Sequence, residues 1–272
     1  AEFFYEGPDV AAFAIVPQGK LIPPEEESFN HTARTCRVGP DGRIYITLGQ
    51  PFNVPAPEKA DLYKQWAIGG IISIKTDGSD RQTYALGMRN PLGLDFNPKD
   101  KSLWVNDNQV DGMGDLIPAG ETNRVTEQGQ HFGFPYCHGS DVADPDYGGK
   151  RACSEFEAPV QNLGAHVAPL GMRFYRGSAF PERYRGQAFA ALHGSWNRTA
   201  KSGYKVVLLE WPDDGGAIVE SDFLTGFELD ESVIGRPVDV QDGPDGELYV
   251  SDDFAGAVYR VVYTGAGRAE DH

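Results

Sequence analysis

One recurring pattern constrains the fold of this chain more than any other feature in it. VGPDGRIYITL (38–48), FNPKDKSLWV (96–105) and QDGPDGELYVS (241–251) each run strand, tight turn, strand, and a weaker copy with a longer connection spans FPERYRGQAFAALH (180–193). The corners are turn chemistry, because Pro fixes its own φ while Asn, Asp and Gly tolerate left-handed backbone angles. A further strand-like run follows each copy: GIISIK (70–75), TNRV (122–125), YKVVLL (204–209) and AVYRVV (257–262). Repetition on this scale predicts an all-β fold of the β-propeller type, in which each small sheet buries its faces against its neighbours. A sandwich would alternate without repeating the same corner. Four blade-like units are recognisable, and Val10 to Pro23 reads as the outer strands of a preceding blade, which makes four to five. Helical periodicity is nearly absent, Pro57 to Trp66 being the best candidate. The expectation is one propeller domain over residues 1–272, ending in a polar tail from Gly265 to His272, with ring closure not visible in the pattern.

At 272 residues such a domain can bury a large core. Forty Asp and Glu against 24 Lys and Arg give a net charge of -16, which repels nucleic acid and anionic membrane surfaces. Metal cations, neutral solutes and basic proteins are the partners this surface admits. No apolar run reaches the roughly 18 residues of a membrane-spanning helix. AEFFYEGPDV at the start lacks a basic segment followed by an apolar one, so any signal peptide is expected to be gone already. Cys137 and Cys153 flank a stretch rich in Asp, Gly and Pro, and a bridge closing it would stabilise the fold by roughly 3 kcal/mol. That favours an oxidising setting, periplasmic or secreted. Cys36 alternates with Val38 and reads as a small core residue.

Propellers gather loops from several blades at one end of a channel, so residues distant in sequence converge there. His31, in Asn30-His31-Thr32, could take a proton from a hydroxyl as a neutral imidazole; an ordinary loop histidine fits the same residues. Arg89-Asn90-Pro91 offers a guanidinium fork for carboxylates or ketone oxygens, with Pro91 holding Asn90 extended, or else a surface salt bridge. Asp107 to Asp115 spaces side-chain oxygens before a Gly, as a flexible calcium loop does. Pro118 stands where an EF-hand needs its Glu, so an EF-hand is excluded, and a hydrogen-bonded turn remains the alternative. HGSWNR (193–198) and GRPVD (235–239) add Arg198 and Arg236, and Trp196 offers a flat face for a ring, a sugar or a structural stack. Asn30-His31-Thr32 and Asn197-Arg198-Thr199 also match the short glycosylation pattern. There is no HExxH, no CxxC pair, no GxSxG and no phosphate-binding Gly-rich fingerprint.

Taken together, GMRNPLGLDFNP (87–98), DNQVDGMGD (107–115), QHFGFPYCHG (130–139), HVAPLGMRFY (166–175), HGSWNR, and GRPVDV with LYVSDDFAGAVYR (248–260) closely resemble the glucose/sorbosone dehydrogenase family, especially its sorbosone dehydrogenase-like branch. The resemblance runs from Phe29 to Tyr263. It implies a six-bladed propeller holding pyrroloquinoline quinone (PQQ) and Ca²⁺ at the channel mouth. By position it makes His31 the general base, and Arg89 and Asn90 the contacts to the quinone oxygens. Asn108, Gln109 and Val110 would be the calcium ligands, partly through backbone carbonyls, with Asp107 and Asp111 beside them. Arg236, and Arg198 or Lys201, would meet the cofactor carboxylates. Family members carry additional blades ahead of the base, so this chain is expected to be a fragment or shortened relative to the family.

Three functions follow as expectations. The first is PQQ- and calcium-dependent oxidation of a sugar or related alcohol or aldehyde, with an external electron acceptor, a cytochrome or a quinone, taking the electrons. The second is a calcium-dependent propeller lactonase, in which metal-bound water attacks an ester. The third is a binding propeller without catalysis. Arg89, Arg198 and Arg236 favour an acidic cofactor over a neutral lactone.

Overall fold

The computed structural model describes residues 13–212 and 216–265. Four sheets follow one another along the chain, antiparallel but for one short parallel pairing at the edge of the first. The first blade is β1 (Cys36–Val38), β2 (Ile44–Leu48), β3 (Gly70–Ile74) and β4 (Gln82–Leu86), paired in that order. The second is β5 (Asn90–Phe96), β6 (Leu103–Asn108) and β7 (Ala119–Val125). An excursion then carries the short strands β8 (Gln130–His131), β9 (Cys137–His138) and β10 (Val142–Ala143), and β11 (Gln161–Ala165) returns as the outer strand. The third blade is β12 (Pro169–Phe174), β13 (Ala188–Leu192), β14 (Lys205–Glu210) and β15 (Val219–Leu224). After the hairpin β16 (Glu228–Leu229) and β17 (Ser232–Val233), the fourth blade is β18 (Pro237–Asp242), β19 (Leu248–Asp252) and β20 (Ala257–Val261). The repeated corners are the β1–β2, β5–β6 and β18–β19 turns, and the runs that follow them are the third strands of their blades. This is the blade architecture of a propeller.

Strand alternation builds the core, because successive side chains point to opposite faces. In the second blade, Leu103 and Val105 pack with Tyr45 and Ile71 of the first, while Trp104 between them packs with Met172 and Phe174 of the third. In β13, Ala188, Ala190 and Leu192 face the second blade, and Phe189 and Ala191 face Val240, Leu248 and Val250 of the fourth. Sheets buried on both faces need apolar residues at every position, which is why β13 reads AFAAL without alternation.

The first blade differs on its outer face. Ile46, Leu48, Ile72 and Ile74 are covered by helix α1 (Ala60–Trp66) and by Leu21 and Ile22. Two expectations are corrected here. The described part of Val10 to Pro23, residues 13–23, forms no strand; with Pro17 and Gly19 breaking it, this segment packs as irregular chain through Val16, Leu21 and Ile22. Cys36 is exposed, as is Val38, because the cover reaches β2 and β3 but contains no residue of β1. The expected polar tail lies outside the described residues apart from Gly265. Cys137 and Cys153 form the disulfide, closing the excursion.

Candidate active site

The site is organised by the register of one hairpin. Asn97 Oδ1 accepts the Lys99 N–H and the Asn97 carbonyl accepts that of Lys101. This turn sets the part of the hairpin from Leu94 to Leu103, a bulge between Pro91 and Leu94 then shifts the register, and beyond it Asn90 lies opposite Asn108 and Pro91 opposite Asp107. The Arg89-Asn90 corner and the Asn108-Gln109 segment therefore end side by side at one edge of the sheet. There they line a cavity of about 220 Å³ with His31, Asp111, His166, His193, Trp196, Asn197 and Arg236. Four blades or their loops contribute.

Arg89 is 4% exposed. Its Nε donates to the Asn53 carbonyl (3.1 Å), Nη1 to the Asn108 carbonyl (3.3 Å), and Nη2 to Asn53 Oδ1 (2.8 Å) and Asp111 Oδ2 (2.9 Å). A guanidinium has five N–H groups, so one on Nη1 is left for the cavity. Asp111 is held in turn by Asn197, whose Nδ2 donates to Oδ1 at 2.6 Å. Asn90 Oδ1 is buried and has no partner among the described residues. Gly49 allows it to sit there, since a Cβ at that position would stand 2.4 Å from it.

His31 sits at φ +52°, held by its Nδ1 against the carbonyl of Gln50. A carbonyl only accepts, so Nδ1 carries the proton and Nε2 is the basic nitrogen of the neutral ring. Burial, and then the Arg89 charge, lower its pKa from the ordinary 6.5. The ring is thereby kept able to accept a proton at neutral pH.

Asp107 is fully buried beneath this surface. It accepts the backbone N–H groups of Arg89 (3.0 Å) and Asn90 (2.7 Å) and the Gln109 amide (2.9 Å), and so fixes the corner rather than lining the cavity. A chain continues through Gln109 Oε1 to His138 Nδ1, and from His138 Nε2 to Asp144, both at 3.0 Å. Glu121, opposite Asp107 in the register, is also fully buried. Burial first, and then the Asp107 charge, raise its pKa.

His31, Arg89, Asn90, Asn108, Gln109, Asp111, Trp196 and Arg236 are thus brought together, and Trp196 is 76% exposed. Asp107 is not available as a metal ligand, because β6 continues past Val105 and carries it into the sheet. The Val110 side chain is buried away from the cavity, which leaves only its carbonyl. Lys201 turns to Glu231, with its N–H at 3.0 Å and its amine at 3.7 Å. Arg198 also stays off the cavity and donates to the Ala165 carbonyl at 3.4 Å. Sequence reasoning assigned no role to Asn53, His166, His193 or Asn197. His193 and Asn197 stand inside HGSWNR and His166 opens HVAPLGMRFY, so the motifs contained them; nothing in the sequence marked Asn53.

Two observations suit a flat acidic ligand here. The Arg236 guanidinium contacts only the His193 and Gly194 carbonyls, each at 3.3 Å, and has no carboxylate partner among the described residues. The Asn90 side chain lines the same cavity, and its Nδ2 is the group that can donate to a ligand oxygen. For a metal ion the donor set is thinner. No group of three or more His, Cys, Asp and Glu side chains is placed to hold one among the described residues, and both Asp111 oxygens are engaged. The Asn108 side-chain oxygen and the Gln109 and Val110 carbonyls remain, which suit a hard cation such as calcium.

The sequence pattern of the glucose / sorbosone dehydrogenase family matches residues 20–260. The chain belongs to this family. An uncharacterized protein of Borreliella burgdorferi is 36% identical over 244 residues, 88% of this chain and 62% of that protein. Aldose sugar dehydrogenase YliI of Escherichia coli is 26% identical over 254 residues, 88% of this chain and 62% of that enzyme. The chain therefore spans about three-fifths of these curated relatives. Among solved structures, the holo form of the pyranose dehydrogenase PQQ domain from Coprinopsis cinerea superposes with a TM-score of 0.72 at 20% identity, covering 87% of this chain and 71% of that one. That likeness supports the propeller fold.

Proposed function

We propose that this chain carries the active-site face of a PQQ-dependent dehydrogenase that oxidises a sugar or a related alcohol or aldehyde. The observation that carries this reading is that Arg89, Arg236, Asn90 and a neutral His31 meet in one cavity. When bound, PQQ would supply the two-electron acceptor. Arg236 would bind a cofactor carboxylate, using a cation that no carboxylate among the described residues satisfies. Asn90 and the remaining Arg89 N–H would hold the quinone edge, where a pre-placed guanidinium stabilises developing negative charge. Calcium would take its oxygens from Asn108, Gln109 and Val110. His31 Nε2 would remove the substrate hydroxyl proton, its ring fixed by the Gln50 carbonyl.

Electrons would leave to a cytochrome or a quinone. The disulfide fits a periplasmic or secreted location, and no described helix is long and apolar enough to cross a membrane. The test is sugar-dependent reduction of an artificial dye after reconstitution with PQQ and Ca²⁺. Activity that needs both additions and disappears in His31→Ala is expected; dye reduction indifferent to PQQ would overturn the reading.

A further inference from the structure

A second cavity, of about 300 Å³, lies between helix α1 and the disulfide-closed excursion. It is at the small end of ligand pockets, which span roughly 300–1,000 Å³ and are mostly apolar with a few placed polar groups. Prolines and aromatic rings, among them Phe134, Tyr136 and Tyr147, make its walls. The hydroxyl protons of Tyr63 and Tyr147 are already committed, to Glu26 (2.9 Å) and to the Pro55 carbonyl (2.5 Å). These residues therefore add ring surface rather than free donors.

Two polar side chains from the less exposed part of the lining have an atom without a partner among the described residues. Gln50 is 4% exposed, and while its Nε2 donates to the Met88 carbonyl at 3.4 Å, its Oε1 has no hydrogen-bond partner. His131 accepts the Gly133 N–H at Nδ1 (3.1 Å), so the neutral ring carries its proton on Nε2, for which no partner exists among the described residues. Burial, helped by the Arg151 and Lys64 charges, pushes the His131 pKa down to about 4, and the ring is neutral at physiological pH. Charged side chains also line the cavity, Asp61 and Lys64 exposed and Arg151 paired with Glu155 at 3.1 Å; besides these the lining offers one unpaired acceptor and one unpaired donor, both uncharged, among aromatic rings. Leaving a buried carbonyl unpaired is costly, and a ligand donor would remove that cost.

We propose that this cavity binds a small uncharged aromatic alcohol, a phenol or hydroquinone-type ring, whose hydroxyl groups pair with Gln50 Oε1 and His131 Nε2–H while its face lies against the aromatic wall. A sugar fits less well, because its several hydroxyls would be desolvated against two polar groups. A carboxylate would be drawn to Lys64 and Arg151, which also line the cavity, but beside Gln50 it would meet an acceptor oxygen, so benzoate is the competitor that tests neutrality. Gln50 also joins the two cavities. Its carbonyl holds His31 and its N–H donates to the Arg89 carbonyl (2.8 Å), while its side chain belongs to the second cavity. Ligand at the side chain is therefore expected to register at the His31 ring.

The test is titration of the cofactor-free protein with phenol, followed by calorimetry and by NMR of the histidine rings; it does not depend on any dehydrogenase activity. Saturable one-to-one binding is expected, with shifts at His131 and His31. Benzene, which keeps the ring and lacks the hydroxyl, should bind at least tenfold more weakly, and glucose and benzoate should not compete. Gln50→Leu should weaken phenol at least tenfold. Ala60→Trp, at an exposed edge of the cavity, should block binding with both polar groups kept. Should Gln50→Leu fail to fold, the phenol–benzene comparison on the unaltered protein and Ala60→Trp decide. No saturable phenol binding, equal affinity for benzene, or preferred binding of glucose or benzoate would overturn the proposal.

Discussion

The two cavities share Gln50 and little else. The first collects guanidinium groups, amides and a basic imidazole from four blades or their loops, and its best-ordered element is an Arg whose donors are nearly all assigned. The second is built mostly by one helix and one stapled excursion; its charged groups are exposed or paired, and the unpaired groups of its buried part are an amide oxygen and a ring N–H. Charge that the protein leaves unsatisfied calls for a charged ligand, whereas an unsatisfied neutral dipole in an apolar enclosure calls for a neutral one. Each of the following experiments should move one cavity and spare the other.

His31→Ala is the largest. Loss of the base should slow PQQ-dependent turnover by about 10²–10⁴-fold, while phenol still saturates the second cavity; loss of both would break the distinction. In the unaltered protein the same residue sets the acid limb. Protonation removes its accepting nitrogen, and its pKa is lowered from 6.5. The rate in kcat/KM should therefore persist as pH falls to that value and decline only below it.

Opening the Cys137–Cys153 bridge comes next and acts on the second cavity. The bridge spans 16 positions, bounding the loop that carries Tyr147 and Arg151. Its loss should cost about 3 kcal/mol, a fall in Tm on the order of 6–12 °C, and weaken phenol binding. An unchanged Tm with reductant would count against this.

Glu121→Gln probes the floor of the first cavity. Burial and Asp107 raise the folded-state pKa of Glu121. Its stabilising contribution is thus complete below the unfolded carboxyl value and is lost as pH rises through the raised one. The unaltered protein should melt lower at about pH 9 than at about pH 6, and the Gln variant should narrow that gap. An equal gap in both proteins would assign the alkaline loss elsewhere.

The smallest pair is Arg236→Ala against Lys201→Ala. Removing one charge-assisted contact of about 1.5–3 kcal/mol should weaken PQQ roughly 10- to 100-fold. Lys201, paired with surface Glu231, should matter by no more than about 0.5 kcal/mol. Equal effects would redraw the border of the charged cavity.

The blades were legible because their corners are local chemistry: Pro, Asp and Gly at fixed offsets announce a turn whatever surrounds them. Arg89, Asn90, His31 and Arg236 were legible through family motifs, and the disulfide through its flanking loop. Long-range packing was not. Nothing in Cys36 or Val38 says that the cover of the first blade stops short of β1. Asp107 looks like a loop oxygen until β6 is seen to run on to Asn108. Lys201 and Glu231 are 30 positions apart, and no local pattern joins them. The second cavity was invisible for the same reason, since its walls come from α1, β4 and the excursion.

The hairpin that aligns Asn90 with Asn108 is set by a turn at its far end, roughly 20 Å away at the usual rise per strand residue, together with the bulge between Pro91 and Leu94. Moving the pairing by one position flips every side chain to the opposite face. The Asn97–Lys101 corner is therefore a remote adjustment screw for the mouth of the charged cavity. Laboratory evolution aimed at new ligands for that cavity should find useful changes there, at the far end of the hairpin from its lining.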